Sequence, residues 1–234
     1  HSQAHLTDNN FLALDGYEID VYQEKENPNG YHKTCHFCLV AINENTPHAD
    51  FGDEDTYTPE NISRIMNEAR EKGFFVTYNH PSWSCEHYEH YSQYTGMCAM
   101  EIMNYGCAYE GFGDYNPKEY DALLRKGERI YCIATDDNHG THDTCGGWTM
   151  IKADKLDQKS LMEAVERGDC YASDGPDIHS LVIRDGKTSS EMIVKQSYID
   201  RLDSISMFDE AVILAYMKLN GNYDKTEELL ETYE

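Results

Sequence analysis

Basic residues are scarce in this chain of 234 residues. Lysine and arginine together number 19, against 43 aspartates and glutamates, which gives a formal net charge of −24. Proteins that bind nucleic acid usually present a basic face to the phosphate backbone, so this balance argues against a nucleic-acid partner. It leaves room for a small anionic substrate, because bound metal ions reverse the charge of an acidic site locally.

Long apolar runs are also missing. No stretch of the sequence approaches the roughly 18 consecutive apolar residues that a membrane span needs. No secretory signal peptide opens the sequence, which begins at His1. We therefore expect a cytoplasmic protein that has no membrane partner.

The cysteines are dispersed rather than clustered. Cys is present 8 times, and Cys35 and Cys38 form a C-x-x-C pair. A zinc or redox site built on such a pair would need a second pair or a helix that begins directly after it. Here the pair runs into the strand-like segment 39–42. We expect reduced, structural thiols, and a cysteine redox protein is the alternative.

Polar residues follow directly on two apolar runs that are typical of buried strands. Segment 130–134 leads into Asp137 and His139, and segment 74–78 leads into His80. In α/β proteins, residues just past the carboxyl ends of strands face the ligand. Read alone, each stretch is equally compatible with an Asx-rich turn or an ordinary loop.

A fourth candidate, Glu18, lies among apolar neighbours in the strand-like segment 16–21. Taken alone, such a carboxylate is most often on a solvated face. Together with His80, Asp137 and His139, it completes a set of carboxylates and imidazoles at or near strand ends. Zinc, manganese and iron all accept this mixture of ligands. We expect the four side chains to converge on one metal cluster.

Helix-like and strand-like segments alternate over most of the chain. Thr58 and Pro59 are suited to the N-cap and first turn of a helix, and Gly73 is suited to its end. This alternation predicts an α/β domain, either a barrel or an open sheet.

Segment 197–234 differs, since apolar residues at helical spacing predict two amphipathic helices over 207–233. These helices should dock on the domain or on a second copy of the chain, giving a homo-oligomer.

The motifs taken together resemble the PHP (polymerase and histidinol phosphatase) family, and most of all its stand-alone metal-dependent hydrolases. The resemblance covers roughly residues 1–184. The segments that carry it are Gly16-Tyr17-Glu18-Ile19, Asn79-His80-Pro81, Met100-Glu101-Ile102-Met103-Asn104, Thr135-Asp136-Asp137-Asn138-His139-Gly140 and Tyr171-Ala172-Ser173-Asp174-Gly175-Pro176. The resemblance implies a distorted, TIM-like (β/α)7 barrel over residues 1–196, two or three divalent metal ions, and a helical appendage over 197–234.

Site residues follow from the resemblance motif by motif. Glu18 matches the bridging carboxylate and His80 the histidine of the third motif, while Asp137 and His139 match the catalytic, metal-binding D-x-H pair. The family's opening H-x-H is not in this sequence. His1 matches the histidine of the T-D-H motif and would be a further metal ligand, with His5 as the alternative.

The function that the resemblance implies is hydrolysis of a small phosphoester by a metal-bound hydroxide. The sequence has no Gly-rich phosphate loop, nucleophile elbow or dinucleotide-binding fingerprint that would favour another chemistry. Two alternatives stay open within the family. One is a degenerate domain that binds metal or ligand without turnover, and the other is a nuclease or proofreading role, against which the acidic charge argues.

Overall fold

The computed structural model describes residues 6–23, 33–52, 56–113, 115–184 and 187–193. These residues fall into two compact units, one that extends to Asp174 and one that begins at Gly175. The strands in chain order are β1 (Gly16–Tyr22), β2 (Thr34–Ala41), β3 (Phe74–Tyr78), β4 (Ala99–Asn104), β5 (Tyr131–Thr135), β6 (Trp148–Ile151), β7 (Cys170–Ser173), β8 (Asp177–Arg184) and β9 (Lys187–Ile193). The helices are α1 (Pro59–Glu71), α2 (Tyr88–Tyr91), α3 (Tyr105–Tyr109), α4 (Pro117–Lys126) and α5 (Gln158–Arg167).

A five-stranded mixed sheet forms the centre of the first unit, with the strands in the order β1-β2-β3-β4-β5. The pairs β1–β2 and β2–β3 are antiparallel, whereas β3–β4 and β4–β5 are parallel. Strands β6 and β7 form a separate antiparallel pair, and the second unit contributes the antiparallel pair β8–β9.

The expectation of a distorted, TIM-like (β/α)7 barrel is therefore wrong. A barrel of that kind needs parallel strands that helical crossovers join into a closed ring. Here the first three strands of the sheet are antiparallel neighbours, and residues 136–147 between β5 and β6 contain no helix. Between these strands the Thr149 hydroxyl donates to the Ala134 carbonyl (2.9 Å) and accepts from its N–H (3.1 Å). A side chain takes the place of ladder hydrogen bonds at this position.

The central strand of the sheet, β3, is buried throughout because helices pack on both faces of the sheet. Phe74, Val76 and Tyr78 belong to one apolar cluster, together with residues of α1 and α4. Phe75 points the other way and packs in a second cluster with residues of α5. This alternation follows from the two-residue period of a strand.

The helix starts that the sequence predicts are confirmed where the structure describes them. Thr58 accepts a hydrogen bond from the Asn61 N–H (3.2 Å), and Pro59 is the first residue of α1.

The predicted helices over 207–233 lie outside the described residues, as do His1 and His5. Within the described part of the chain, no helix has both the length and the apolar character to cross a bilayer.

A buried carboxylate fixes the segment that follows β3. Glu86 is 4% exposed and accepts hydrogen bonds from Tyr57 (2.5 Å), Tyr78 (2.5 Å) and Tyr94. Burial raises the pKa of this carboxyl even though the three hydroxyls oppose that effect. The three rings come from before α1, from β3 and from after α2, so one side chain links three parts of the unit.

We expect Glu86→Leu to lower the free energy of unfolding by about 2–5 kcal/mol, because three largely buried hydroxyls lose their acceptor. Urea denaturation is the measurement, and Glu166→Leu on the exposed face of α5 is the matched control. Equal stability of the two variants would contradict the proposed role of Glu86.

Candidate metal centre

The antiparallel pairing of β1 with β2 places two carboxylates opposite a histidine and a thiol. The register aligns Glu18 with Cys38 and Asp20 with His36. Residues at the alternate positions of both strands are buried in the core, so these four side chains lie on the other face. That face is where the candidate site forms.

The end of β3 brings a second imidazole to this face. The Asn79 N–H donates to the His36 carbonyl (3.0 Å), which continues the β2–β3 pairing by one residue and places His80 next to β2. The His80 Nε2 atom lies 3.4 Å from Glu18 Oε1, and the His36 Nδ1 atom lies 3.2 Å from the same oxygen. One ligand atom from each of the three residues lies within 4.8 Å of the other two. This trio could hold a metal ion.

Asp137 reaches the trio from the end of β5. Its Oδ2 atom is 3.9 Å from His80 Nε2 and accepts a hydrogen bond from Asn104 Nδ2 (3.1 Å). The same amide donates to Glu101 Oε2 (3.0 Å), and that oxygen also accepts from the His80 N–H (3.0 Å). Asn104 and the fully buried Glu101 therefore tie the two loops that carry His80 and Asp137 to β4.

His139 stands at the margin of the site. Its side chain is 75% exposed, and its Nδ1 atom lies 3.7 Å from Asp137 Oδ1 and 2.8 Å from the Asp137 carbonyl oxygen. The structure thus brings Glu18, His80 and Asp137 together and leaves His139 beside Asp137 only. The proposed ligand His1 lies outside the described residues.

His36 is a site residue that the sequence did not predict. It lies inside the C-x-x-C motif Cys35-His36-Phe37-Cys38, where the two thiols are the more obvious candidates for chemistry. The usable signal was the alternation of polar and apolar residues in β2, which places His36 and Cys38 on one face and the buried Cys35 on the other. All cysteines of the chain are free thiols, including Cys35 and Cys38.

Hydrogen bonds between carboxylates and imidazoles shift the pKa values of the site. Burial opposes protonation of His36, but its hydrogen bonds to Asp20 and Glu18 outweigh burial and raise its pKa to about 9. Burial would raise the pKa of Glu18, yet the hydrogen bonds from His36 and His80 hold it far below its usual range. The cluster is therefore an ionised carboxylate paired with cationic imidazole.

Asp20 completes a chain of contacts through His36. The His36 Nε2 atom is 3.1 Å from Asp20 Oδ1, and the Thr34 hydroxyl donates to the same oxygen. Metal-binding histidines commonly donate their second N–H to a carboxylate, which fixes the ring orientation. Asp20 is in the right place to do this while the Nδ1 atom of His36 faces Glu18.

Local backbone geometry aims the two loop ligands. His80 and Asp137 have φ values of 24° and 46°, a region that residues other than glycine seldom occupy. Asp136 anchors the loop behind Asp137, since its carboxylate accepts from the N–H groups of Cys145 (2.7 Å), Gly146 (2.8 Å) and Gly147 (2.9 Å). Unusual backbone held by such bonds is typical of functional sites.

No protein-family model matches the chain, and no curated protein is similar to it in sequence. The resemblance to the PHP family therefore stays a prediction from the motifs.

We expect His36→Ala to weaken Co²⁺ binding by about 10-fold or more, because the trio loses one imidazole ligand. Absorption titration is the measurement, since the d–d bands of Co²⁺ also report the loss of a ligand. His179→Ala, at an exposed position of β8, is the matched control for non-specific binding by histidine. Equal affinities for the two variants would argue against His36 as a ligand.

The affinity for Co²⁺ should also rise as the pH is raised from 7 towards 9 and level off above that. The pKa of His36 is about 9, so at pH 7 the metal must displace its proton, since only neutral imidazole binds a metal. Calorimetric titrations across this pH range would measure the effect. The His36→Ala variant should show a shallower dependence, and an unchanged slope would contradict this assignment.

Proposed function

We propose that the protein is a metal-dependent hydrolase of small phosphoesters, as its motifs imply. The observation that carries the proposal is the convergence of Glu18, His36 and His80 on a region in which one ligand atom from each could bind the same ion. Asp137 lies next to this trio and offers a further carboxylate. The donor set fits zinc, manganese or iron, and the resemblance implies two or three ions.

The acidity of the site supports a role for metal ions in binding a phosphate group. Glu18, Asp20 and Asp137 would together repel an anionic substrate, and the chain as a whole carries a charge of −24. Divalent ions bound there would offset this charge, polarise the phosphate oxygens and lower the pKa of a water molecule. A small phosphorylated substrate is therefore the partner that we propose, rather than nucleic acid.

The chain's own residues then have distinct tasks. Glu18, His36, His80 and Asp137 hold the metal, and Asp20 orients the imidazole of His36. A carbonyl oxygen can only accept, so the His139 Nδ1 atom must be the donor in its 2.8 Å contact with the Asp137 carbonyl. The exposed Nε2 atom of His139 is thereby left as the basic nitrogen. It can bind a metal ion or hold a proton at the open side of the site.

A reducing compartment such as the cytoplasm is consistent with the free thiols. None of the chain's cysteines forms a disulfide, and Cys38 lies on the same face as Glu18. We propose a cytoplasmic location on this basis.

We expect His139→Ala to lower the kcat for p-nitrophenyl phosphate by on the order of 100-fold in the presence of Mn²⁺ or Zn²⁺. The melting temperature without metal should change little, because the side chain is 75% exposed. Glu18→Gln should abolish metal-dependent turnover, whereas His179→Ala should leave it unchanged. Metal binding by the unmodified chain without any turnover would instead indicate a domain that binds metal and does not catalyse.

A further inference from the structure

An aromatic wall, formed by Trp83 and Phe112, flanks the candidate metal centre. The Trp83 ring lies 5.2 Å from the His36 ring and 5.1 Å from the His80 ring, measured between centroids. The Trp83 ring also meets Phe112 edge-on, with 6.5 Å between the ring centroids. Trp83 is half-buried, while Phe112 is 42% exposed. The apolar surface of this pair thus begins directly beside the two imidazoles.

The turn that holds Phe112 is well defined. Helix α3 ends in a Schellman motif in which the Phe112 N–H donates to the Cys107 carbonyl (3.0 Å) and the Gly111 N–H donates to the Ala108 carbonyl (3.1 Å). Gly111 has a φ of 92°, the left-handed conformation that this motif requires. The Phe112 side chain meets the ring of Trp83.

The start of α3 is tied to the metal centre. The Asn104 side chain accepts from the Cys107 N–H (2.9 Å), which caps the helix, and donates to Asp137 Oδ2 (3.1 Å). One side chain therefore links the element that leads to Phe112 with a candidate metal ligand.

The loop that carries Trp83 is equally well fixed. The Ser84 N–H donates to the His80 carbonyl (3.1 Å), and the Glu86 N–H donates to the Pro81 carbonyl (2.9 Å). The Ser82 hydroxyl donates to Asn116 Oδ1 (2.5 Å). These bonds fix the backbone on both sides of Trp83, as the Schellman motif fixes that of Phe112, which lowers the entropic cost of binding against the two rings.

We infer that the substrate is a phosphoester of an alcohol that carries a planar aromatic ring, and that this ring lies against Trp83 and Phe112. The inference rests on the proposed function and specifies its substrate class. A phosphate at the metal centre places the ester substituent next to the imidazoles, and the wall is the apolar surface there. Hydrolysis breaks the bond between phosphorus and the ester oxygen, and the oxygen of water forms the new P–O bond. One proton of the water ends on the released alcohol and the other on the phosphate product.

Benzyl phosphate and cyclohexylmethyl phosphate test this directly. Both release a primary alcohol of similar size, and they differ in the planarity of the ring. The small advantage of benzyl alcohol as a leaving group acts on the chemical step, whereas a contact with the ring acts mainly on KM. We expect kcat/KM to be about 3- to 10-fold higher for the benzyl ester, as is typical of contacts between aromatic rings. Phe112→Ala should remove this preference, mainly through KM, and leave ethyl phosphate unaffected. Phe11→Ala, at another exposed phenylalanine, is the control and should keep the preference.

Binding without turnover provides a second readout. The chain has 2 tryptophans, so in the Trp148→Phe variant the fluorescence reports on Trp83 alone. Phenylphosphonate should quench this fluorescence in the metal-loaded protein at lower concentration than methylphosphonate does, and Phe112→Ala should reduce the difference.

The outcomes separate the two proposals. If neither ester nor ethyl phosphate is hydrolysed with any of the metals, the proposed function is overturned. If all are hydrolysed but benzyl and cyclohexylmethyl phosphate have equal kcat/KM, the inference alone is overturned. The inference is also overturned if Phe112→Ala lowers the turnover of every ester alike, because Phe112 then has only a structural role.

Discussion

Glu18 lies between two imidazoles, and most of what the site can do depends on this arrangement. One oxygen of its carboxylate faces both His36 and His80, which come from neighbouring strands of the sheet. A carboxylate in this position raises the pKa of both histidines, and it would become a ligand when a metal displaced their protons. The pairing of opposite charges allows several ionisable groups to lie close together beside an apolar core.

A second layer of polar side chains supports this centre. Asn104 joins Glu101 to Asp137 and also caps α3, while Asp136 holds the backbone of residues 145–147. None of these groups needs to touch a substrate. Their effect is to limit the freedom of the two loops that carry His80 and Asp137, whose Nε2 and Oδ2 atoms lie 3.9 Å apart.

Part of this site was visible in the sequence. His80 and Asp137 stand out because a polar residue follows directly on an apolar run, and a carboxylate such as Glu18 is unusual among apolar neighbours. His36 could not be recognised in the same way, because its role depends on which strand pairs with β1 and in what register. The apolar pattern of a single strand does not show whether its neighbour runs parallel or antiparallel to it. The expectation of a barrel therefore came from the family resemblance and not from the strands themselves. The antiparallel start of the sheet became apparent only from the backbone.

The strict alternation in β1 and β2 has an evolutionary consequence. One face of this strand pair builds the core, and the other carries Glu18, Asp20, His36 and Cys38. Insertion or deletion of a single residue in either strand would turn carboxylates and histidines into the core and apolar side chains into the site. Substitutions can tune each face separately, but changes in strand length cannot. Lineages that retain the fold through these strands are therefore expected to retain the spacing of Glu18, Asp20, His36 and Cys38 as a unit.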